Sequence, residues 1–156
     1  MQLERLKRYL DSQKINYVSL VHYETYTAQE IAQSAHVSGE EMAKTVIVKI
    51  DGKIVMAVLP ASQKIDFALL KEAAGAGKVD LASEEEFMDM FPDCEIGAMP
   101  PFGNLYGMEV YVAESLEEDE EIVFNAGSHI DLIKLSFKDF ARLVKPKVMK
   151  FSSRDA

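Results

Sequence analysis

Three stretches of this chain carry residue types able to bind and transform a substrate. They are Lys44 within Ala43-Lys44-Thr45-Val46-Ile47-Val48, the bend Ile96-Gly97-Ala98-Met99-Pro100-Pro101-Phe102-Gly103, and the turn Ala126-Gly127-Ser128-His129. Proline has no backbone N–H and a φ fixed at about −65°, so the bend cannot be helix interior or central strand. Glycine lets another molecule approach the main chain closely. Apolar Ile96, Met99 and Phe102 argue against a solvated linker. The pattern predicts a stiff, partly buried loop that presents backbone groups to a ligand. A rigid tether between two elements would have the same composition.

Lys44 opens a strand. Alternation puts it on one face with Val46, Val48 and Ile50, and puts Thr45, Ile47 and Lys49 on the other, wetter face. A lysine at the edge of an apolar face either snorkels its ammonium to water or is buried. Burial lowers its pKa from about 10.4 and makes the amine chemically useful.

Other chemistries find less support. His22, His36 and His129 are far apart, and no His/Cys pair has metal-ligand spacing. Gly75-Ala76-Gly77 follows a predicted helix instead of opening one, unlike a phosphate loop. Ser128 and His129 are neighbours, so on an extended segment they point to opposite faces and cannot form a nucleophile–base pair. The Gly-x-Ser-x-Gly elbow is absent. Cys94 lies between Asp93 and Glu95, acids that raise a thiol pKa and blunt its reactivity. His129 and Asp131 would share a face, and one pocket, if their strand begins early; otherwise Asp131 solvates an edge. What remains suits a reaction that needs positioning and charge stabilisation, such as hydrolysis of an activated ester. Backbone N–H groups would hold the oxyanion and a cation would hold the substrate or the leaving alkoxide.

The elements that must position these residues can be read from periodicity. Leu3, Leu6, Tyr9 and Leu10 predict a helix over 2–13, and 17–22 a strand. Capping boxes at Thr27–Glu30 and Ser38–Glu41 open helices through about His36 and to about Ala43. Residues 45–50 and 53–59 form a hairpin across Asp51-Gly52. A helix over 66–74, a strand over 78–81 and a helix from Ser83 through Phe91 follow, the last stopped by Pro92 and filling the core with Phe87, Met88, Met90 and Phe91. Strands over 108–113 and 121–125 are joined across an acidic turn. A strand over 130–135 and a helix from Ser136 through Val144 complete the pattern, before a basic tail over 145–156. The sum is a single α/β domain, a twisted mixed sheet of barrel-like character surrounded by helices.

Composition fits that reading. The chain has 156 residues, 48% hydrophobic and 28% charged, as in ordinary globular domains. It contains no membrane-length apolar run and no signal-peptide pattern. One cysteine excludes an internal disulfide framework and suits a reducing, cytoplasmic setting. The net charge of −9 argues against a broad phosphate-binding surface but leaves room for a local basic patch. Much of the acid is confined to 84–86 and 114–121.

The Ala43–Val48 strand, the Gly97-x-x-x-Pro101-Phe102-Gly103 loop and Ala126-Gly127-Ser128-His129, in this order and spacing, resemble the YbaK-like aminoacyl-tRNA deacylases and the related prolyl-tRNA synthetase editing domain. His22 with Thr27 resembles the family's N-terminal pattern. The resemblance implies the fold of that editing domain and metal-independent, cofactor-free hydrolysis of the ester joining a wrong small amino acid to tRNA, with tRNA-Pro one candidate. The implied partners are the acceptor end of an aminoacyl-tRNA and a synthetase, not a membrane or a metal. It implies catalytic roles for Lys44, Gly97 and Pro101, with Lys44 touching the terminal phosphate or ribose. It implies substrate contacts by His22, Thr45, Ala98, Met99, Pro100, Phe102, Gly103, Gly127, Ser128, His129 and Asp131. The arrangement requires the Lys44 ammonium and the proline bend to face each other across one hollow. The alternative is a non-enzymatic module of the same fold that binds an amino acid, nucleotide or protein partner.

Overall fold

A computed structural model describes residues 2–21, 42–92, 94–95 and 97–153. His22, Ile96 and the helices expected between Thr27 and Glu41 lie outside the described residues. The described elements begin with α1 (Gln2–Ser12), β1 (Tyr17–Val21), β2 (Ala43–Ile50), β3 (Lys53–Pro60) and β4 (Lys64–Ile65). Next come α2 (Phe67–Ala74), β5 (Val79–Leu81), α3 (Glu84–Phe87) and β6 (Val110–Ala113). The chain then adds α4 (Glu114–Glu117), β7 (Glu121–Asn125), β8 (Asp131–Ser136), α5 (Phe137–Val144), β9 (Lys147–Met149) and β10 (Ser152–Ser153).

Local chemistry sets several of these boundaries. Asp51 and Gly52 both take positive φ, 50° and 83°, the geometry a two-residue hairpin demands. They join β2 to β3 in a register that runs from Ala43↔Pro60 to Ile50↔Lys53. Asp66 caps α2 by accepting the Leu69 N–H, and Ser136 caps α5 by accepting that of Asp139. Ser83 and Glu86 form the reciprocal capping box of α3.

The larger sheet has the order β5-β2-β3-β6-β9, antiparallel through β3 and parallel beyond it. A second, antiparallel sheet has the order β1-β8-β7, and β4 pairs with β10. An isolated parallel bridge, Met42↔Val123, brings the head of β2 against β7 and links the two sheets. This is the expected twisted mixed architecture, barrel-like without closing.

Both faces of the larger sheet are covered. Ala43, Ile47, Met56, Val58, Val110 and Val112 pack with Phe102, Phe124 and Phe140 on one side. Val48, Ile50, Val55, Ala57, Leu59 and Tyr111 pack with Leu70 and Phe151 on the other. Each face of β2 holds a buried residue, Ile47 at 2% exposed on one and Val48 at 0% on the other, and Lys49 stays partly exposed on the face of Thr45 and Ile47.

Other expectations need correcting. Ala43 begins β2 and does not end a helix. The helix from Ser83 shortens to one turn plus a 3₁₀ turn at Met88–Met90, leaving Met88 and Met90 exposed while Phe87 and Phe91 are buried. β6 and β7, expected as neighbours, belong to different sheets and are joined through α4. The basic end is no free tail: β9 extends the larger sheet and Phe151 is fully buried. Among the described residues, no helix is long and apolar enough to cross a membrane.

Candidate active site

The glycine–proline bend is held from inside the molecule. Ala98, Met99, Pro100, Pro101, Phe102 and Gly103 are all buried, so the segment is more enclosed than its composition alone implies. Phe102 anchors it, with ring centroids 5.6 Å from Phe124, 5.6 Å from Phe140 and 6.2 Å from Tyr9. Gly103 is required by proximity: a Cβ there would lie 2.5 Å from Val110 Cγ2 and 2.8 Å from the Met108 carbonyl oxygen. At the other end, Gly97 takes a φ of +85°, which side chains rarely adopt.

The turn between β7 and β8 closes against this bend. The Glu95 N–H donates to the Gly127 carbonyl at 2.8 Å, and the Gly127 N–H donates to the Ala98 carbonyl at 2.9 Å. His129 lies against Gly97; a Cβ on that glycine would sit 3.4 Å from the imidazole Cε1. Among the described residues, the N–H groups of Gly97 and Met99 make no hydrogen bond. They are available to an oxyanion, the role that needs preorganised backbone donors.

Ser128 is committed to the turn. Its hydroxyl donates to Asp131 Oδ2 at 2.7 Å and accepts the N–H groups of Ile130 at 3.3 Å and Asp131 at 3.1 Å. Asn125, buried at the end of β7, donates from Nδ2 to the Ser128 carbonyl at 3.2 Å. The segment is a bend, so the extended alternation expected for Ser128 and His129 does not apply. β8 begins at Asp131, leaving His129 outside the strand, and the Asp131 carboxylate turns to Ser128.

β2 supplies the third side. Thr45, Val46 and Ile47 line a shallow cleft of about 230 Å³ together with Gly97 and Met99. Leu81, Ala82, Glu84 and Phe87 complete its walls. These four were not legible as site residues: Leu81 read as a strand end, Glu84 as part of an acidic capping run and Phe87 as core, and Ala82 carried no signal. The volume lies below the roughly 300–1,000 Å³ of a typical small-molecule pocket and suits a small group.

Lys44 is not among the residues that line this cleft. Strand alternation turns it away from Thr45, toward the face of Val46 and Val48. It is half-buried, and burial lowers its pKa from the ordinary lysine value, with repulsion from Lys64 adding to the shift. Because β2 and β7 run parallel from the Met42↔Val123 bridge, Lys44 and Asn125 each lie two residues further along their strands. The three segments singled out by sequence thus adjoin one another.

The aminoacyl-tRNA editing domain family matches residues 22–143. The multifunctional Ser/Thr-tRNA deacylase ProXp-y of Escherichia coli (strain K12) is 27% identical over 154 residues, covering 95% of this chain and 91% of that protein. The proline–tRNA ligase of Bacillus mycoides (strain KBAB4) is 27% identical over 82 residues, covering 53% of this chain and 14% of the ligase. A solved structure provisionally described as a trans-editing enzyme for prolyl tRNA synthetase superposes with a TM-score of 0.83 at 19% identity, covering 97% of each chain.

Proposed function

We propose, from the premise that this chain belongs to the aminoacyl-tRNA editing domain family, that it is an aminoacyl-tRNA deacylase acting on a mischarged small amino acid. The ester joining that amino acid to the terminal ribose is the bond broken, and water is the nucleophile. The observation that carries the reading is the contact of the Gly97–Gly103 bend with the Ala126–His129 turn beside the Thr45 cleft. Donors held by a bend whose following residues are buried need little reorganisation when negative charge develops on the ester carbonyl. A serine acyl-enzyme is disfavoured because the Ser128 oxygen is occupied by the N–H groups of Ile130 and Asp131 and does not line the cleft.

Within this reading the amino acid side chain enters the cleft between Ile47 and Met99, and the carbonyl oxygen faces the N–H groups of Gly97 and Met99. Lys44, on the reverse of Thr45, suits the terminal phosphate or ribose of the tRNA and not the reacting carbonyl. Pro100 and Pro101 stiffen the bend, and His129 walls the cleft at Gly97. The chain works freely in trans in the cytoplasm, with tRNA-Pro a candidate substrate and a synthetase a candidate partner. The relative named as a Ser/Thr-tRNA deacylase adds serine and threonine to the amino acids worth testing. Cleft size limits discrimination, since one methylene is worth only about 1–3 kcal/mol.

The experiment is deacylation of Ala-, Cys-, Ser- and Thr-charged tRNAs by the wild type and by Lys44→Ala. Hydrolysis of at least one of them, reduced in the variant, is expected. No hydrolysis of any charged tRNA would overturn the reading. Activity undiminished in Lys44→Ala would remove that residue from the mechanism.

A further inference from the structure

β3 and β4 are joined by a tight turn folded back over the head of β2. Ala43 pairs with Pro60, the Ala61 N–H donates to the Met42 carbonyl at 2.7 Å, and the Gln63 N–H donates to the Pro60 carbonyl at 3.0 Å. Gln63, itself buried, is fixed by the hydroxyls of Ser115 and Ser152, which donate to its Oε1 at 3.3 and 2.6 Å. Lys64 follows directly, exposed and paired across the ladder with Ser153. The turn therefore sets Lys64, four residues beyond the Pro60 that pairs with Ala43, at the same end of β2 as Lys44, and the charge of Lys64 adds to the lowering of the Lys44 pKa.

Several other lysines are paired with an acid: Lys49 meets Glu86, Lys53 and Lys147 meet Glu109, Lys78 meets Asp80, and Lys134 meets Glu121. Lys44 and Lys64 have no carboxylate partner among the described residues. In a chain of net charge −9, two cations at one end of a strand, with no carboxylate bonded to either among the described residues, make a local site for an anion. A phosphodiester, with oxygens that accept hydrogen bonds from two ammonium groups at once, fits such a pair.

Resting on the deacylase reading, we propose that Lys64 is a substrate-binding residue that shares with Lys44 a phosphodiester of the tRNA acceptor end. Lys64 lies off the cleft, so it holds the RNA and leaves the chemical step to the bend. The pair also gives an acidic protein a localised grip on a polyanion without a broad basic surface.

The test compares wild type, Lys64→Gln, Lys64→Arg and, as a charge control, Lys78→Gln. The substrates are the charged tRNA that the wild type deacylates best and an uncharged acceptor-stem RNA. For Lys64→Gln the expected result is a KM raised roughly tenfold with kcat within about twofold, weaker stem binding, and a shallower salt dependence of binding. Lys64→Arg is expected to restore KM, and Lys78→Gln to behave as wild type. An active wild type whose KM, stem affinity and salt slope are unmoved by Lys64→Gln overturns this inference and leaves the deacylase reading standing. A wild type inactive on every charged tRNA, whose stem binding is nonetheless weakened by Lys64→Gln, overturns the deacylase reading and keeps the RNA site. Loss of both activity and stem binding in the wild type overturns both.

Discussion

The imidazole of His129 lies over Gly97, so that a Cβ built on the glycine would stand 3.4 Å from Cε1 and 3.9 Å from Nε2. That spacing is ordinary van der Waals contact. The φ of +85° is what excludes a side chain, because left-handed backbone costs an L-residue roughly 1–2 kcal/mol. Gly97→Ala is therefore expected to relax toward negative φ and swing the N–H groups of Gly97 and Met99 off the cleft. Loss of one oxyanion donor elsewhere lowers kcat by about 10²–10³, and a fall of at least tenfold is expected here with the fold retained. Single-turnover deacylation beside thermal melting checks this, and wild-type kcat in a folded Gly97→Ala variant would contradict it.

Phe102 links the bend to the core. It is fully buried among Tyr9, Phe124 and Phe140, and β6 passes immediately behind Gly103. Phe102→Ala leaves a ring-sized void that such a packed cluster cannot collapse, at a cost of about 3–5 kcal/mol. Urea denaturation should show a lower midpoint with the slope unchanged. A cost below about 1 kcal/mol would mean that the bend is not anchored through this ring.

Ser128 tests the type of hydrolysis. Its hydroxyl orders the turn through Asp131 and two backbone N–H groups, so Ser128→Ala removes a turn clamp and not a nucleophile. About 1 kcal/mol of stability should be lost, in line with a typical side-chain hydrogen bond. Deacylation should fall by less than about tenfold, without the collapse that follows removal of a catalytic nucleophile. Trapping of an acyl-enzyme on Ser128 by mass spectrometry would overturn this assignment.

The parts of the fold that could be read from residues were those fixed by near neighbours. Asp51-Gly52 dictates its hairpin, and Asp66, Ser83 and Ser136 dictate helix starts, because the partners lie within three residues. The Glu95–Gly127 and Gly127–Ala98 bonds join segments about thirty residues apart, and no periodicity encodes them. Nor does periodicity report that β6 and β7 belong to different sheets. Lys145-Pro146-Lys147, with Lys150 beyond, reads as a basic tail, yet β6 offers an open parallel edge to Lys147–Met149 and Phe151 packs beneath the sheet. Of the candidate site, the bend, the turn and β2 were legible as motifs. Which face of β2 the bend covers was not, because that depends on contacts between segments distant in the chain.

Lys44 itself should cost the protein stability. Burial disfavours its charged form and Lys64 repels it, so its folded-state pKa lies below the unfolded value. Between those two pKa values the unfolded chain binds more protons than the folded one, so stability rises with pH across that interval. Below both pKa values the full cost of a half-desolvated ammonium is present. Lys44→Met keeps an unbranched stem against Val46 and Leu59 and removes the charge, and a gain of about 0.5–2 kcal/mol is expected. The half-exposed head still reaches water, which favours the lower end of that range. For a chain of this size each kcal/mol raises Tm by about 2–4 °C, and the difference from wild type should shrink as pH climbs toward the ordinary lysine range at about 10. The same variant should lose deacylation, separating what the residue contributes to RNA from what it costs the fold. Melting curves of both proteins from about pH 6 to about pH 10 check the sign, and a Tm lower than wild type throughout would show that Lys44 is stabilised by its surroundings instead.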